Sequence, residues 1–202
     1  MQDLKQQGYR IVATGEMGIG NTTTSSAVAS VLLGLPPEEV TGRGAGLSSE
    51  GLARKRLAVR RAIACNAPDP SDAFDVLQKV GGLDLAGMAG AFLGGAAMQM
   101  PVVIDGFISS AAALLAVLMC RDVKDFLLAS HVSSEPGGRL VMDQLGLKAP
   151  LDCGMHLGEG SGAVALLPLL KMGAMVYENM STFSEIHVES YVDYGAKKGG
   201  RP

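Results

Sequence analysis

The 202-residue sequence has few aromatic residues, few cysteines and no large excess of charge of either sign. Aromatic residues make up 4% of the chain and tryptophan is absent, so Ala, Leu, Val and Met must form the core. Cys65, Cys120 and Cys153 lie far apart without a C-x-x-C pair. That spacing argues against a disulfide scaffold or a zinc site and predicts buried free thiols in a reducing compartment.

The charge balance and the apolar runs exclude further classes of protein. Lys and Arg number 17 against 20 Asp and Glu, and a net charge of −3 argues against nucleic-acid binding. The first ten residues are polar and contain no apolar segment of the kind found in signal peptides, so a cytoplasmic protein is expected. Residues 85–104 carry no charge, but their Gly content and Pro101 favour a buried helix and a strand over membrane insertion.

Short β-branched runs alternate with longer segments of helical character. Strands are predicted over residues 10–14, 101–104 and 126–129, with a possible fourth strand over 151–156. Helices are predicted over residues 22–33, 49–66, 72–80, 83–98, 107–120, 138–145 and 161–180. This alternation predicts an α/β fold with a parallel sheet flanked by helices in three Rossmann-like layers. The helices 83–98 and 107–120 are apolar on all faces and are therefore expected to be buried, either deep in the domain or in a subunit interface.

The chain is expected to form an α/β domain over residues 1–180, followed by a C-terminal helix and a tail over 181–202. The tail turns polar and ends in AKKGGRP, which is typical of a frayed terminus. The number of strands is low for an open α/β sheet, so the sheet looks incomplete.

A glycine-rich loop follows the first predicted strand, with the sequence GEMGIGNTT over residues 15–23. Glycine lets backbone N–H groups approach an anion, and the N-terminus of the next helix adds its dipole. An ordinary strand-to-helix turn capped by Asn21 or Thr22 remains the alternative. Gly15 and Gly20 have P-loop spacing, but Asn21 stands where a P-loop has Lys, which argues against a nucleotide triphosphatase.

Two further loops have ligand-like composition. The loop GRGAG over residues 42–46 has three glycines and an arginine, and Lys55 on the following helix could reach back to it. The loop SHVSSEPG over residues 130–137 presents hydroxyls and His131 at a strand end, with a capped turn as the alternative. The three His residues show no metal-binding spacing, so no metal site is expected.

The segment LGEGSGA over residues 157–163 is the sharpest of these motifs. Glu159 stands between two glycines at the start of a helix. The carboxylate could simply complement the helix dipole. Several glycines in so short a segment cost backbone entropy that a cap does not require, so a catalytic or ligand-binding Glu159 is favoured.

The sequence resembles the nicotinate-nucleotide–dimethylbenzimidazole phosphoribosyltransferases of cobalamin biosynthesis. The similarity rests on GEMGIGNTT, GRGAGL with GLARK, VVIDGFISSAAAL, SHVSSEPG and LGEGSGA, which occur in this order. It extends from about residue 8 to residue 184. The resemblance implies transfer of the phosphoribosyl group of nicotinate mononucleotide to 5,6-dimethylbenzimidazole, giving α-ribazole 5′-phosphate and nicotinate, without a cofactor.

The resemblance also implies roles for individual residues. Glu159 would be the general base that removes the azole proton, and Glu16 its acidic partner near the base and ribose. Substrate-binding roles would fall to Gly18, Gly44, Ala45, Gly46, Lys55, Ser133 and Gly158.

Members of this family carry a substantial region before the first of these motifs. The resemblance therefore implies a chain that lacks this region and includes C-terminal helices of a small domain. A homodimer, or association with the missing region, is expected. A non-catalytic nucleotide-binding or interaction module is the alternative function, and a degenerate P-loop protein is a third, weaker one.

Overall fold

A computed structural model describes residues 1–189 of the chain. Its sheet has three parallel strands in the order β1 (Val12–Ala13), β2 (Val102–Ile104) and β3 (Leu127–Ala129). Val12 pairs with Val102, and Val102 pairs with Leu127, so these three residues lie side by side across the sheet. The central strand β2 is fully buried. The predicted parallel α/β sheet is confirmed.

Helices form most of the described chain. They are α1 (Gln2–Gln6), α2 (Asn21–Leu33), α3 (Pro37–Val40), α4 (Ser49–Asn66), α5 (Ala73–Val80), α6 (Leu83–Ala97), α7 (Phe107–Met119), α8 (Pro136–Leu145) and α9 (Ser161–Asn179). A 3₁₀ helix, Arg121–Phe126, connects α7 to β3.

The helix ends follow from local capping chemistry. The Ser48 side chain accepts a hydrogen bond from the Gly51 N–H at the start of α4, and Asp72 accepts from Phe74 and Asp75 at the start of α5. Gly34 ends α2 in the left-handed conformation, at φ 65°, which glycine adopts without a steric penalty.

The hydrophobic core lies between the sheet and the helices. Most of α7 is buried, from Phe107 to Ala116, as its apolar sequence predicts. Helix α6 packs on β2 through Gly95, because a Cβ there would collide with the side chain of Val102. Its outer face is open, and Leu83 is 93% exposed. Within this chain α6 is therefore not buried on all faces, and the expectation that a subunit interface covers the rest stays a prediction.

The structure corrects several smaller expectations. Residues 151–156 form an isolated bridge between Leu151 and His131 rather than a strand. The three cysteines are free, as predicted, but exposed rather than buried. Within residues 1–189, no helix is long and apolar enough to cross a membrane.

The chain divides into two units, Met1–Leu167 and Pro168–Pro202, with the boundary at Pro168 inside α9. The first unit contains the sheet and the core. In the second unit, residues 171–189 are all exposed. The division predicted from the sequence, 1–180 and 181–202, remains a prediction, since residues 190–202 lie outside the described part.

Candidate active site

A cavity of about 730 Å³ opens at the carboxyl ends of the strands. Loops that follow β1, β2 and β3 contribute to its wall, together with the loop that precedes α9. This is the edge at which open parallel sheets bind their ligands.

The predicted site residues gather around this cavity. It is lined by Glu16, Gly18, Gly44, Ala45, Gly46, Ser133, Gly158 and Glu159. Lys55 lies behind the loop 42–46 and does not line the cavity, but it contacts Thr22, which does. The residues predicted to bind and to react therefore meet in one place, and their individual roles stay predictions.

Glu159 adopts a backbone conformation that is unusual for a residue with a side chain. Its φ is 57°, in the left-handed region, where a Cβ is sterically disfavoured. Its backbone N–H donates to the carbonyl oxygen of Glu16 at 2.8 Å. The side chain is exposed in the cavity, and within the described residues no hydrogen bond reaches its carboxylate. The carboxylate is therefore available to a ligand.

The loops that carry Glu16 and Glu159 touch backbone to backbone, and glycine makes this approach possible. A Cβ on Gly15 would lie 2.7 Å from the Cα of Gly160 and 2.8 Å from the carbonyl carbon of Glu159. A Cβ on Gly158 would lie 2.7 Å from the Glu16 oxygen. Close packing of the two backbones therefore requires glycine at positions 15 and 158.

The Glu16 carboxylate is fixed by an amide that bridges two acids. Asn21 Nδ2 donates to Glu16 Oε1 at 2.6 Å and to Asp84 Oδ2 at 2.7 Å. Asn21 opens α2, whose N-cap is Gly20 with no side-chain cap. Neither Asn21 nor Thr22 is the N-cap residue, so the cap predicted for this loop is wrong, whereas the choice between an anion site and an ordinary turn stays open.

Lys55 joins the loop 42–46 to the start of α2. Its Nζ donates to Thr22 Oγ1 at 2.9 Å and to the carbonyl oxygen of Gly42 at 3.0 Å. Burial lowers the pKa of Lys55 from its ordinary value, and the negative charge of Glu135 opposes this shift. Glu135 Oε1 in turn accepts from the Gly44 N–H at 2.9 Å.

A buried acid and a buried imidazole form the floor of the cavity. Asp105, which follows β2, accepts hydrogen bonds from the backbone of the loop that leads into α9. His131 is 2% exposed, and its Nδ1 lies 3.0 Å from Ser130 Oγ. Burial lowers the pKa of His131 from its ordinary value, opposed by the Asp105 charge, so the imidazole is neutral at neutral pH.

Among the residues that the structure describes, no group of three or more His, Cys, Asp or Glu is placed to hold a metal ion. The cavity wall instead combines glycine backbone, hydroxyls and carboxylates. The glycine backbone, with the Lys55 ammonium behind it, suits an anionic group of a ligand, and the carboxylates suit a neutral or cationic part of it.

A family model described as phosphoribosyltransferase matches residues 1–188. The chain belongs to this phosphoribosyltransferase family. Two curated relatives of the family bear the name nicotinate-nucleotide–dimethylbenzimidazole phosphoribosyltransferase. The protein of Clostridium acetobutylicum is 49% identical over 191 residues, which cover 95% of this chain and 54% of the relative. That of Desulforudis audaxviator is 51% identical over 182 residues, which cover 90% and 52%.

A solved structure of the phosphoribosyltransferase family shares the fold. The crystal structure of CobT from Thermus thermophilus has a TM-score of 0.86 and 44% identity to this chain. The similarity covers 94% of this chain and 56% of the CobT chain. The chain thus spans about half the length of the relatives that it matches.

Sequence reasoning did not assign functional roles to several acids and an amide that line the cavity or lie beside it. These residues are Asn21, Asp84, Asp105 and Glu135. Asp105 carried a usable signal, because it directly follows a predicted strand at the ligand-binding edge. Asn21 and Asp84 carried none, since 63 residues separate them and only the folded chain joins them.

Proposed function

We propose that this chain transfers the phosphoribosyl group of nicotinate mononucleotide to 5,6-dimethylbenzimidazole, giving α-ribazole 5′-phosphate and nicotinate. The proposal rests on the placement of Glu159. Its carboxylate lies unbonded in the cavity, on a backbone that neighbouring loops hold in a disfavoured conformation. Residues with a strained backbone of this kind concentrate at catalytic sites.

The phosphoribosyl end of the donor fits the side of the cavity formed by the loop 42–46. Backbone N–H groups of Ala45 and Gly46 suit phosphate oxygens, as in other glycine-rich anion sites. Gly44 lines the same wall, and its own N–H already donates to Glu135. The Lys55 ammonium lies directly behind this loop and supplies positive charge. Ser133 adds a hydroxyl on the facing wall, and Gly18 leaves room against the nucleotide.

The reaction needs one base at the acceptor. The azole nitrogen attacks C1′ of the ribose, the bond from C1′ to the pyridinium nitrogen breaks, and its electron pair goes to that nitrogen. Nicotinate therefore departs without help from an acid. Glu159 takes the azole proton, a contribution of about 10²–10⁴-fold. Holding both substrates in one cleft supplies a further acceleration.

Glu16 completes the acidic pair of the proposal. The amide of Asn21 orients the Glu16 carboxylate. The hydrogen bond from the Glu159 backbone N–H to the Glu16 carbonyl oxygen links the positions of the two residues. A homodimer, or association with a further region of the family fold, remains part of this proposal.

A second function, nucleotide binding without turnover, is favoured by one observation. The chain spans about half the length of its relatives. A site for the phosphoribosyl half alone would bind nicotinate mononucleotide and transfer nothing.

Turnover separates the two functions. The full chain is incubated with nicotinate mononucleotide and dimethylbenzimidazole, and α-ribazole phosphate and nicotinate are quantified by chromatography. Equal amounts of the two products support transfer. Binding of the nucleotide by calorimetry with no product would support the binding module. The absence of both nucleotide binding and product would contradict both functions.

A further inference from the structure

The loop that presents Glu159 keeps three successive residues in the left-handed conformation. The φ angles are 80° at Gly158, 57° at Glu159 and 78° at Gly160. A non-glycine residue with this backbone is disfavoured, and it persists only where surrounding contacts hold it. The contacts that hold this loop therefore decide where the Glu159 carboxylate lies.

Asp105 provides the largest set of side-chain contacts to this loop. Its Oδ2 accepts from the Gly160 N–H at 3.0 Å, and its Oδ1 accepts from Gly162 at 2.8 Å and Ala163 at 3.1 Å. The residue is 2% exposed. Three backbone donors thus converge on one buried carboxylate just beyond Glu159.

Asp105 is itself anchored to the sheet. It directly follows β2, its backbone N–H donates to Ser109 Oγ at 3.2 Å, and its carbonyl oxygen accepts from Ser130 Oγ at 3.0 Å. Ser130 directly follows β3. Asp105 therefore links the carboxyl ends of two strands, through its backbone, to the first turn of α9, through its carboxylate.

The negative charge of Asp105 is balanced by this arrangement rather than by a cation. Within residues 1–189 no Lys or Arg forms a salt bridge to it. The neighbouring titratable side chain is His131, whose ring packs against Gly106 and Gly162. The N–H groups and the dipole at the start of α9 favour an anion at this place.

We infer that Asp105 is a positioning residue, which fixes the loop 158–163 to the sheet so that the Glu159 carboxylate faces the cavity. The catalytic consequence rests on the proposed function of Glu159, whereas the effect on the loop does not. An amide of the same size cannot replace the carboxylate, because its NH₂ group would face a backbone N–H donor.

The test compares Asp105→Asn with Ser110→Ala in the full chain. The Ser110 side chain is buried and donates within α7, to the carbonyl oxygen of Phe107, so its variant is a control for a lost buried hydrogen bond.

In Asp105→Asn, hydrogen exchange over residues 158–163 is expected to accelerate about 10-fold or more. Turnover is expected to fall about 100-fold, the scale of a 1 Å misplacement. The dissociation constant for nicotinate mononucleotide should stay within about threefold, because phosphate binding uses other loops.

The outcomes distinguish the inference from the proposed function. Unchanged exchange over 158–163 in a folded Asp105→Asn overturns the inference, and so does the same acceleration in Ser110→Ala. Absence of turnover in the unaltered chain counts against the proposed function only, and exchange still decides the role of Asp105.

If Asp105→Asn does not fold, Ser130→Ala provides the decisive variant. It removes one anchor of Asp105 and keeps the carboxylate. Faster exchange confined to 158–163 supports the inference, and exchange equal to that of the unaltered chain contradicts it.

Discussion

Lys55 shows how a single residue joins the fold to the proposed chemistry. The residue is 7% exposed, and its ammonium bonds to Thr22 and Gly42 behind the loop proposed to hold the phosphate. Burial lowers its pKa from the ordinary value of 10.5. Since a bound phosphate favours the charged ammonium, ligand binding and protonation of Lys55 are linked.

This linkage predicts that nucleotide binding weakens at alkaline pH. As the pH rises from below the lowered pKa of Lys55 toward 10.5, the dissociation constant of nicotinate mononucleotide should increase. Calorimetry in two buffers of different ionisation enthalpy should show proton uptake on binding in that window. Lys55→Met should bind more weakly and lose this dependence, whereas Lys171→Met, altered at an exposed position, should keep it.

Nucleotide binding would also weaken at alkaline pH if the protein unfolded, but the titration of Lys55 does not cause such unfolding. Because the folded pKa of Lys55 lies below the unfolded value, the unfolded chain binds more protons between the two values. The contribution of Lys55 to stability therefore rises with pH in that window. A dissociation constant that stays constant across this window in the unaltered chain would contradict the role assigned to Lys55.

Residues of the site were predictable where their neighbours in sequence define their surroundings. Glu159 stands between glycines before a helix, and the loop 42–46 is recognisable from its composition. The place of Asp105 after a predicted strand was recognisable, but its three backbone donors were not, because they lie 55 to 58 residues further along the chain. A motif shows which side chains a loop offers, but not which distant backbone surrounds them.

At the scale of elements, patterns predicted the longer helices and the strands and missed the short helices. The segments β2, β3, α4, α5 and α7 lie within two residues of their predicted bounds. The four-residue helix α3 was not predicted, since distant contacts hold it. Arg56 of α4 donates to the Glu38 carbonyl oxygen at 3.0 Å, and the side chains of Arg60 and Glu38 form an ion pair.

Helix α6 offers a matched pair of glycines for a test of its packing. Gly87 is exposed, and a Cβ there would meet no atom within 4 Å. Gly87→Ala should raise the free energy of unfolding by about 0.5–1 kcal/mol, because alanine loses less backbone entropy in a helix. Gly95→Ala should lower it by about 1–3 kcal/mol, since its Cβ would collide with Val102 and lie 3.0 Å from the Met100 oxygen.

Urea denaturation of the two variants checks this pair. If both variants changed the free energy of unfolding by the same amount and in the same direction, α6 would not pack on β2 as described. The contrast within one helix separates local propensity from tertiary packing.

At the scale of the whole molecule, the first unit contains the cavity and the core, and the exposed residues 171–189 lie in the second. The parallel sheet with its ligand-binding edge was predictable, because alternating strands and helices admit few topologies. The boundary at Pro168 was not, since the helical pattern of α9 continues through it.

The two units predict an order of proteolytic cleavage. Among the Lys and Arg residues of 1–189, trypsin should cut first after Lys171, which is exposed and belongs to the second unit. A fragment that ends at residue 171 should then persist, as followed by mass spectrometry over time. Earlier cleavage after Arg54 or Arg61 of α4, which are also exposed, would show that the first unit opens more readily than the second.

The central claim is that Glu159 removes the proton of the acceptor base, and turnover of Glu159→Gln tests it most directly. Glu178→Gln, altered at an exposed carboxylate in the second unit, is the matched control. Formation of α-ribazole phosphate is expected to fall about 10²–10⁴-fold in Glu159→Gln, with binding of nicotinate mononucleotide retained. No change is expected in Glu178→Gln. A Glu159→Gln variant that turns over within about threefold of the unaltered chain would show that Glu159 is not the base.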